Sequence, residues 1–99
     1  MTIELKRWRY FLALADELHF GRAAQRVGTD QASFSRKIRE LEHILKVRLF
    51  ERTNQGTSGL TEAGKALLPQ AQSLVENLDR AVRAARDAAS STQSSPPSC

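Results

Sequence analysis

Residues 20–42, FGRAAQRVGTDQASFSRKIRELE, carry two helical patterns separated by a tight turn. Phe20, Ala23, Ala24 and Val27 share one helical face. Gly28 follows where the chain must reverse, a position suited to φ > 0. Thr29 and Asp30 then offer oxygens that can cap a new N-terminus. In the next segment Phe34, Ile38, Leu41 and Leu45 are spaced by 4, 3 and 4, which turns Ala32, Arg36, Arg39 and His43 outward. Gln31, Ser33, Ser35 and Lys37 flank that outer stripe. A short helix, a glycine turn and a helix with an Arg-rich outer face predict a helix-turn-helix over about residues 20–39. The bland alternative is an amphipathic pair whose basic face is merely solvated.

Charge favours the first reading. Up to Leu60 eleven Lys and Arg face seven Asp and Glu, whereas from Thr61 onward the two signs cancel. The whole net charge of +4 therefore sits in the first part of the chain. A basic head on a neutral stalk suits a polyanionic partner.

Composition bounds the rest. Ninety-nine residues with 40% hydrophobic content allow one small domain. All six aromatics (Trp8, Tyr10, Phe11, Phe20, Phe34, Phe50) precede residue 51 and place the core in the first half. The charged, amphipathic N-terminus does not read as a secretory signal, and no apolar run reaches membrane-spanning length. The single cysteine, Cys99, allows no disulfide within the chain, so a cytoplasmic setting is expected. Residues 90–99, SSTQSSPPSC, read as a disordered Ser/Pro tail.

The predicted layout is a mainly α fold. Ile3 to about Leu18 forms a first helix with Leu5, Trp8, Phe11, Leu12 and Ala15 on its buried side. The helix-turn-helix follows, and ERTNQGTSGLT then reads as a short β-hairpin wing over about 50–60, with an ordinary surface loop as the alternative. Residues 1–60 are thus a three-helix, winged DNA-binding head. Residues 61–89 form one long linker helix of about 40 Å, capped by Thr61. Along it Leu67, Ala71, Leu74, Leu78, Ala81 and Ala85 make one apolar column, and Leu68, Val75, Val82 and Ala89 make another. Leu67, Ala71, Leu74, Val75, Leu78 and Val82 are the expected homodimer interface. Packing of this helix back on its own head is the alternative. Pro69 removes one backbone bond inside it.

Three runs, YFLALADELHFGRAAQRV, SRKIRELEHILKVRLFERT and GLTEAGKALLP, give residues 3–89 a resemblance to the N-terminal DNA-binding domain of LysR-type transcriptional regulators. The LxxRLFERT and LTEAG segments are far more specific than a bare helix-turn-helix. The resemblance implies a winged helix-turn-helix whose linker helices pair antiparallel into a dimer. It also implies double-stranded DNA with an interrupted palindromic site as partner. Gln31, Ala32, Ser33, Ser35, Arg36 and Arg39 are then expected at the major groove. Arg22, Lys37, Arg52, Thr53, Asn54 and Gln55 are expected at the backbone or under the wing. Asp30 stands where the family usually has Ser, and Ala32 where it often has Pro. The wing is one residue longer than usual, with Gln55 at the place of its second arginine. Within these 99 residues no effector-binding domain is expected, and with it neither a small-molecule inducer site nor tetramer formation.

Other chemistry is thin. His19 and His43 lack the companions of a zinc site, so no metal is expected. Gly56 and Gly59 do not open a phosphate loop, since no Lys-Ser/Thr follows on a helix. With no nucleophile–base pair at recognisable spacing, neither enzyme activity nor a cofactor is expected. The rival to a DNA-binding homodimer is a truncated family member that heterodimerises with a full-length regulator and sequesters it.

Overall fold

Four helices and one hairpin make up residues 3–53 and 56–91, the part of the chain described in the computed structural model. They are α1 (Leu5–Glu17), α2 (Phe20–Val27), α3 (Gln31–Leu45), β1 (Phe50–Thr53), β2 (Gly56–Leu60) and α4 (Glu62–Ser91). The expected mainly α winged helix-turn-helix is what forms. Asn54 and Gln55 lie outside the described residues, as do residues 92–99 of the expected tail, whose Ser90 and Ser91 belong to α4.

Left-handed residues end the first three helices: Leu18 at φ 53°, Gly28 at φ 78° and Lys46 at φ 61°. At Gly28 the turn follows directly from backbone bonding. Its N–H donates to Gln25 O at 3.1 Å, and Thr29 N–H donates to Ala24 O at 3.0 Å. These two reversed bonds satisfy carbonyls the helix leaves unpaired. Asp30 then caps α3, accepting from Ser33 N at 2.8 Å. His19 caps α2 in the same manner, its Nδ1 accepting from Arg22 N at 3.0 Å.

Phe11, Leu14, Phe34, Ile38, Leu41, Leu49 and Phe50 form the fully buried centre. Tyr10 stacks on Phe34 with centroids 5.0 Å apart, and Phe11 tilts against Phe50 at 5.5 Å. The wing is thereby anchored in the core through its first residue. Its strands pair antiparallel, Phe50 with Leu60 and Thr53 with Gly56. A register shift between Glu51 and Arg52 leaves residue 58 without an opposite partner, so the irregularity absorbs one residue of hairpin length.

Two expected faces need correction. On α1 the buried residues are Tyr10, Phe11, Ala13 and Leu14, while Leu5, Trp8, Leu12 and Ala15 are only partly covered. The cause is that α1 packs against α2 and α3 on one side and α4 on the other, so its covered arc is wider than one stripe. On α4, Ala71 and Val75 are buried inside the protomer, and Leu67 and Leu68 pack against the core. Leu67, Ala71 and Val75 are therefore occupied by the chain's own head, and the head's packing extends past residue 60. Only Leu74, Leu78 and Val82 of the expected interface stay exposed.

The GLTEAG segment joins wing to helix. Thr61 N donates to Leu49 O at 3.0 Å, and its Oγ1 donates to Arg48 O at 2.6 Å. That hydroxyl also accepts from Gly64 N at 3.1 Å, which caps α4. A Cβ on Gly64 would stand 2.2 Å from the Leu49 carbonyl oxygen, closer than any atom pair tolerates. Gly64→Ala should therefore push α4 off the loop after α3 and cost about 2 kcal/mol. Urea denaturation checks this; a cost below ~0.5 kcal/mol would mean the contact relaxes freely.

Candidate nucleic-acid interface

α3 presents its outer stripe to solvent. Gln31, Ala32, Arg36, Arg39 and His43 are exposed, and Ser35 and Lys37 are half-buried beside them. Gln31, Ala32, Ser35, Arg36 and Arg39 line one shallow hollow along this face. Ser33 departs from the expected base-facing role. Its hydroxyl donates to Asp30 Oδ2 at 2.9 Å, so its proton belongs to the cap. The Ser33 N–H and then the Ser33 hydroxyl hold the Asp30 carboxyl below the usual range. With the folded-state value depressed, this cap is at full strength at neutral pH and is lost as pH falls through that value.

Ion pairing sorts the cations of the head. Arg7 meets Glu4 and Glu40, and Arg9 meets Asp79. Arg22 meets Glu17, and Arg26 meets Asp16 and Glu17. Lys37 lies 3.9 Å from Glu40, whose carboxyl is held low chiefly by its hydrogen bond from Arg7. Among the described residues of the head, Lys6, Arg36, Arg39, Lys46 and Arg48 form no ion pair, Arg36 acting on Glu40 only at longer range, and all but Lys6 follow α3 and its exit. Arg22 keeps an exposed guanidinium, so pairing with Glu17 does not remove it from the surface.

Arg52, expected at the backbone or under the wing, has a side chain only 23% exposed that donates to Glu42 Oε1 at 2.7 Å. Its guanidinium also lies 5.4 Å from the centre of the Phe20 ring. Glu42 was not singled out by the sequence reading, yet it is buried on the inner face of α3. Its Oε2 accepts from Leu49 N at 2.8 Å and Phe50 N at 3.2 Å. One carboxylate thus ties the recognition helix, the loop after it and the first wing strand together. The signal available was an acid on the Ile38–Leu41 face with an arginine ten residues later. Thr53 is exposed at the end of β1. No group of three or more potential metal-binding side chains occurs among the described residues.

A helix-turn-helix with a wing and an unpaired cationic outer helix defines the class of winged DNA-binding heads. Residues 5–65 match the family model described as bacterial regulatory helix-turn-helix protein, lysR family. The chain belongs to that family. Over 81 residues it is 44% identical to the uncharacterized HTH-type transcriptional regulator YnfL of Escherichia coli K12, covering 82% of this chain and 27% of YnfL. The chain thus spans about a quarter of that relative's length. The DNA complex of the CbnR DNA-binding domain superposes with a TM-score of 0.82 at 34% identity, covering 88% of this chain and 99% of that one. The BenM DNA-binding domain bound to catB site 1 DNA gives 0.85 at 32% identity, covering 90% and 95%.

Proposed function

We propose that this chain binds double-stranded DNA sequence-specifically as a homodimer and acts in transcriptional regulation, working in the cytoplasm. The observation that carries the reading is the segregation of charge: the arginines around the core are neutralised by carboxylates, whereas Arg36 and Arg39 on the open face of α3 are not. An unpaired guanidinium on a recognition helix can hold two acceptors of a guanine edge or a phosphate.

In this reading Gln31, Ala32, Ser35, Arg36 and Arg39 enter the major groove. Gln31 can bond an adenine edge, and Ser35 a phosphate. Arg22, Lys37 and Thr53 lie toward the backbone. Arg52 acts indirectly by holding the wing to Glu42. Two heads joined through their α4 helices would read the halves of an interrupted palindrome. The exposed strip of α4 would equally accept the helix of a longer relative, so mixed species are the competing assembly; mixing the chain with such a relative and sedimenting the product separates the two.

Arg36→Ala tests the assignment. It leaves the fold intact, because the side chain points away from Phe34, Ile38 and Leu41. Loss of a bidentate base contact is worth about 1–3 kcal/mol, so affinity for a selected site should fall roughly tenfold or more at fixed salt. Unchanged affinity in a mobility-shift titration would sink the base-reading role of α3.

A further inference from the structure

The unpaired cations do not stop where α3 leaves its base-reading half. Arg36, Arg39 and Lys46 recur at steps of 3 and 7, with the His43 ring between the last two, so one helical stripe runs down to the residue that ends the helix. Arg39, His43, Lys46, Val47, Arg48 and Thr53 line a second open hollow of about 940 Å³ between the end of α3 and the wing. Arg39 is shared with the first hollow, so the two are continuous. The acid on the wall of this second hollow, Glu42, is consumed by Arg52 and two backbone N–H groups. What remains toward solvent is positive.

Lys46 stands out in its backbone. It sits at φ 61°, ψ 32°, closing α3 with bonds from its N–H to His43 O and from Val47 N–H to Glu42 O, both 3.2 Å. Glycine takes that left-handed conformation without strain and a residue bearing a Cβ does not. The chain therefore holds a lysine where local conformation favours glycine. Arg48 is fixed from the backbone side, since its carbonyl accepts from Thr61 Oγ1 at 2.6 Å while its side chain stays exposed and unpaired.

We propose that Lys46 and Arg48, with Arg39 at the inner edge, form a second clamp that grips the sugar-phosphate backbone beyond the major groove read by the first half of α3. The proposal rests on the DNA-binding reading above. Its geometry follows from lengths. From Arg36 to Lys46 the helix advances about 15 Å at ~1.5 Å per residue. A B-DNA major groove is roughly 12 Å wide. A helix laid across the groove with its N-terminal turns on the bases carries its far end past the groove and over a phosphate strand. Two cations standing there add affinity without adding sequence discrimination.

Lys46→Gly and the double variant Lys46→Gly with Arg48→Gln test this on mixed-sequence duplex DNA and on a duplex selected from a random library. Lys46→Gly should not lower the melting temperature, because relief at φ 61° offsets the lost interaction with the helix dipole. With two heads on each duplex every change is made twice, so its logarithmic salt dependence of binding should become shallower by about two units, and that of the double variant by about four. Affinity of the double variant should fall roughly tenfold on both duplexes alike at moderate salt. A wild type that binds with a slope the double variant leaves unaltered overturns the clamp alone. A loss confined to the selected duplex also overturns it, since that is base readout. Wild-type protein that binds neither duplex overturns the DNA-binding reading and the clamp together.

Discussion

Glu42→Ala should cost about 4 kcal/mol of folding stability and loosen the wing. Two losses combine. Arg52 would be left as a largely buried guanidinium without its counter-charge, and breaking a buried pair from one side costs about 3–5 kcal/mol. The Arg52 side chain is 23% exposed, so solvent screens part of this and the lower end applies. Leu49 N and Phe50 N would also lose their acceptor in a buried setting, at about 1 kcal/mol or more each where water does not enter. For a domain of this size each kcal/mol moves the melting temperature by about 4 °C or more, so a drop of roughly 15 °C is expected. Amide exchange at Leu49 and Phe50 should accelerate more than at Phe11, because the carboxylate acts on the wing root. Glu42→Gln should fall between the two, keeping an acceptor oxygen but not the charge facing Arg52. Glu40→Ala, whose partner Arg7 retains Glu4, is the control and should cost below ~1 kcal/mol. A Glu42→Ala cost as small as the control's would show that the pair does not hold the wing.

That carboxylate marks where sequence reasoning ran out. Helix spacing identified Phe34, Ile38 and Leu41 as inner residues, and Gly28 identified the turn, because both signals act within a few neighbouring residues. The exposed positions of Arg36 and Arg39 followed from the same spacing. Arg52 did not yield to it. A basic residue at the base of a hairpin reads as a ligand for phosphate until its distance to an acid ten residues earlier is known, and that distance is tertiary. The α1 face failed for a related reason. Periodicity finds one stripe, whereas α1 is wedged between two sets of neighbours that bury Tyr10, Ala13 and Leu14. On α4 the apolar columns were legible, but not their division. Which residues serve the head depends on how α1 lies against α4, where Arg9 and Asp79 form a 3.1 Å ion pair. Lys46 escaped notice because nothing in the local sequence announces a left-handed lysine.

The division of α4 gives the second large effect. Leu74, Leu78 and Val82 are 48%, 41% and 41% exposed in the single chain, whereas Ala71 and Val75 one turn earlier are buried against it. Three large aliphatic side chains along a helix exposed from Glu76 through Ser90 make a strip that a second copy can cover. Burying a Leu or Val contributes about 1.5–3 kcal/mol, and in a symmetric pair each is counted twice. Leu74→Glu with Leu78→Glu puts four carboxylates into that seam and should give monomers. These monomers should melt close to the wild-type head, because neither side chain belongs to the protomer's core. Ala71→Glu supplies the contrast: it places a charge inside the core and should unfold the head itself. A monomeric double variant should bind a half-site weakly and lose roughly a hundredfold or more on the full interrupted palindrome, because linking two heads converts the second contact into an intramolecular one. Sedimentation and mobility shift on the two duplexes read both effects. A wild type that sediments as a monomer at tens of micromolar would refute the homodimer. Full affinity in the double variant would show that α4 carries the heads without pairing them.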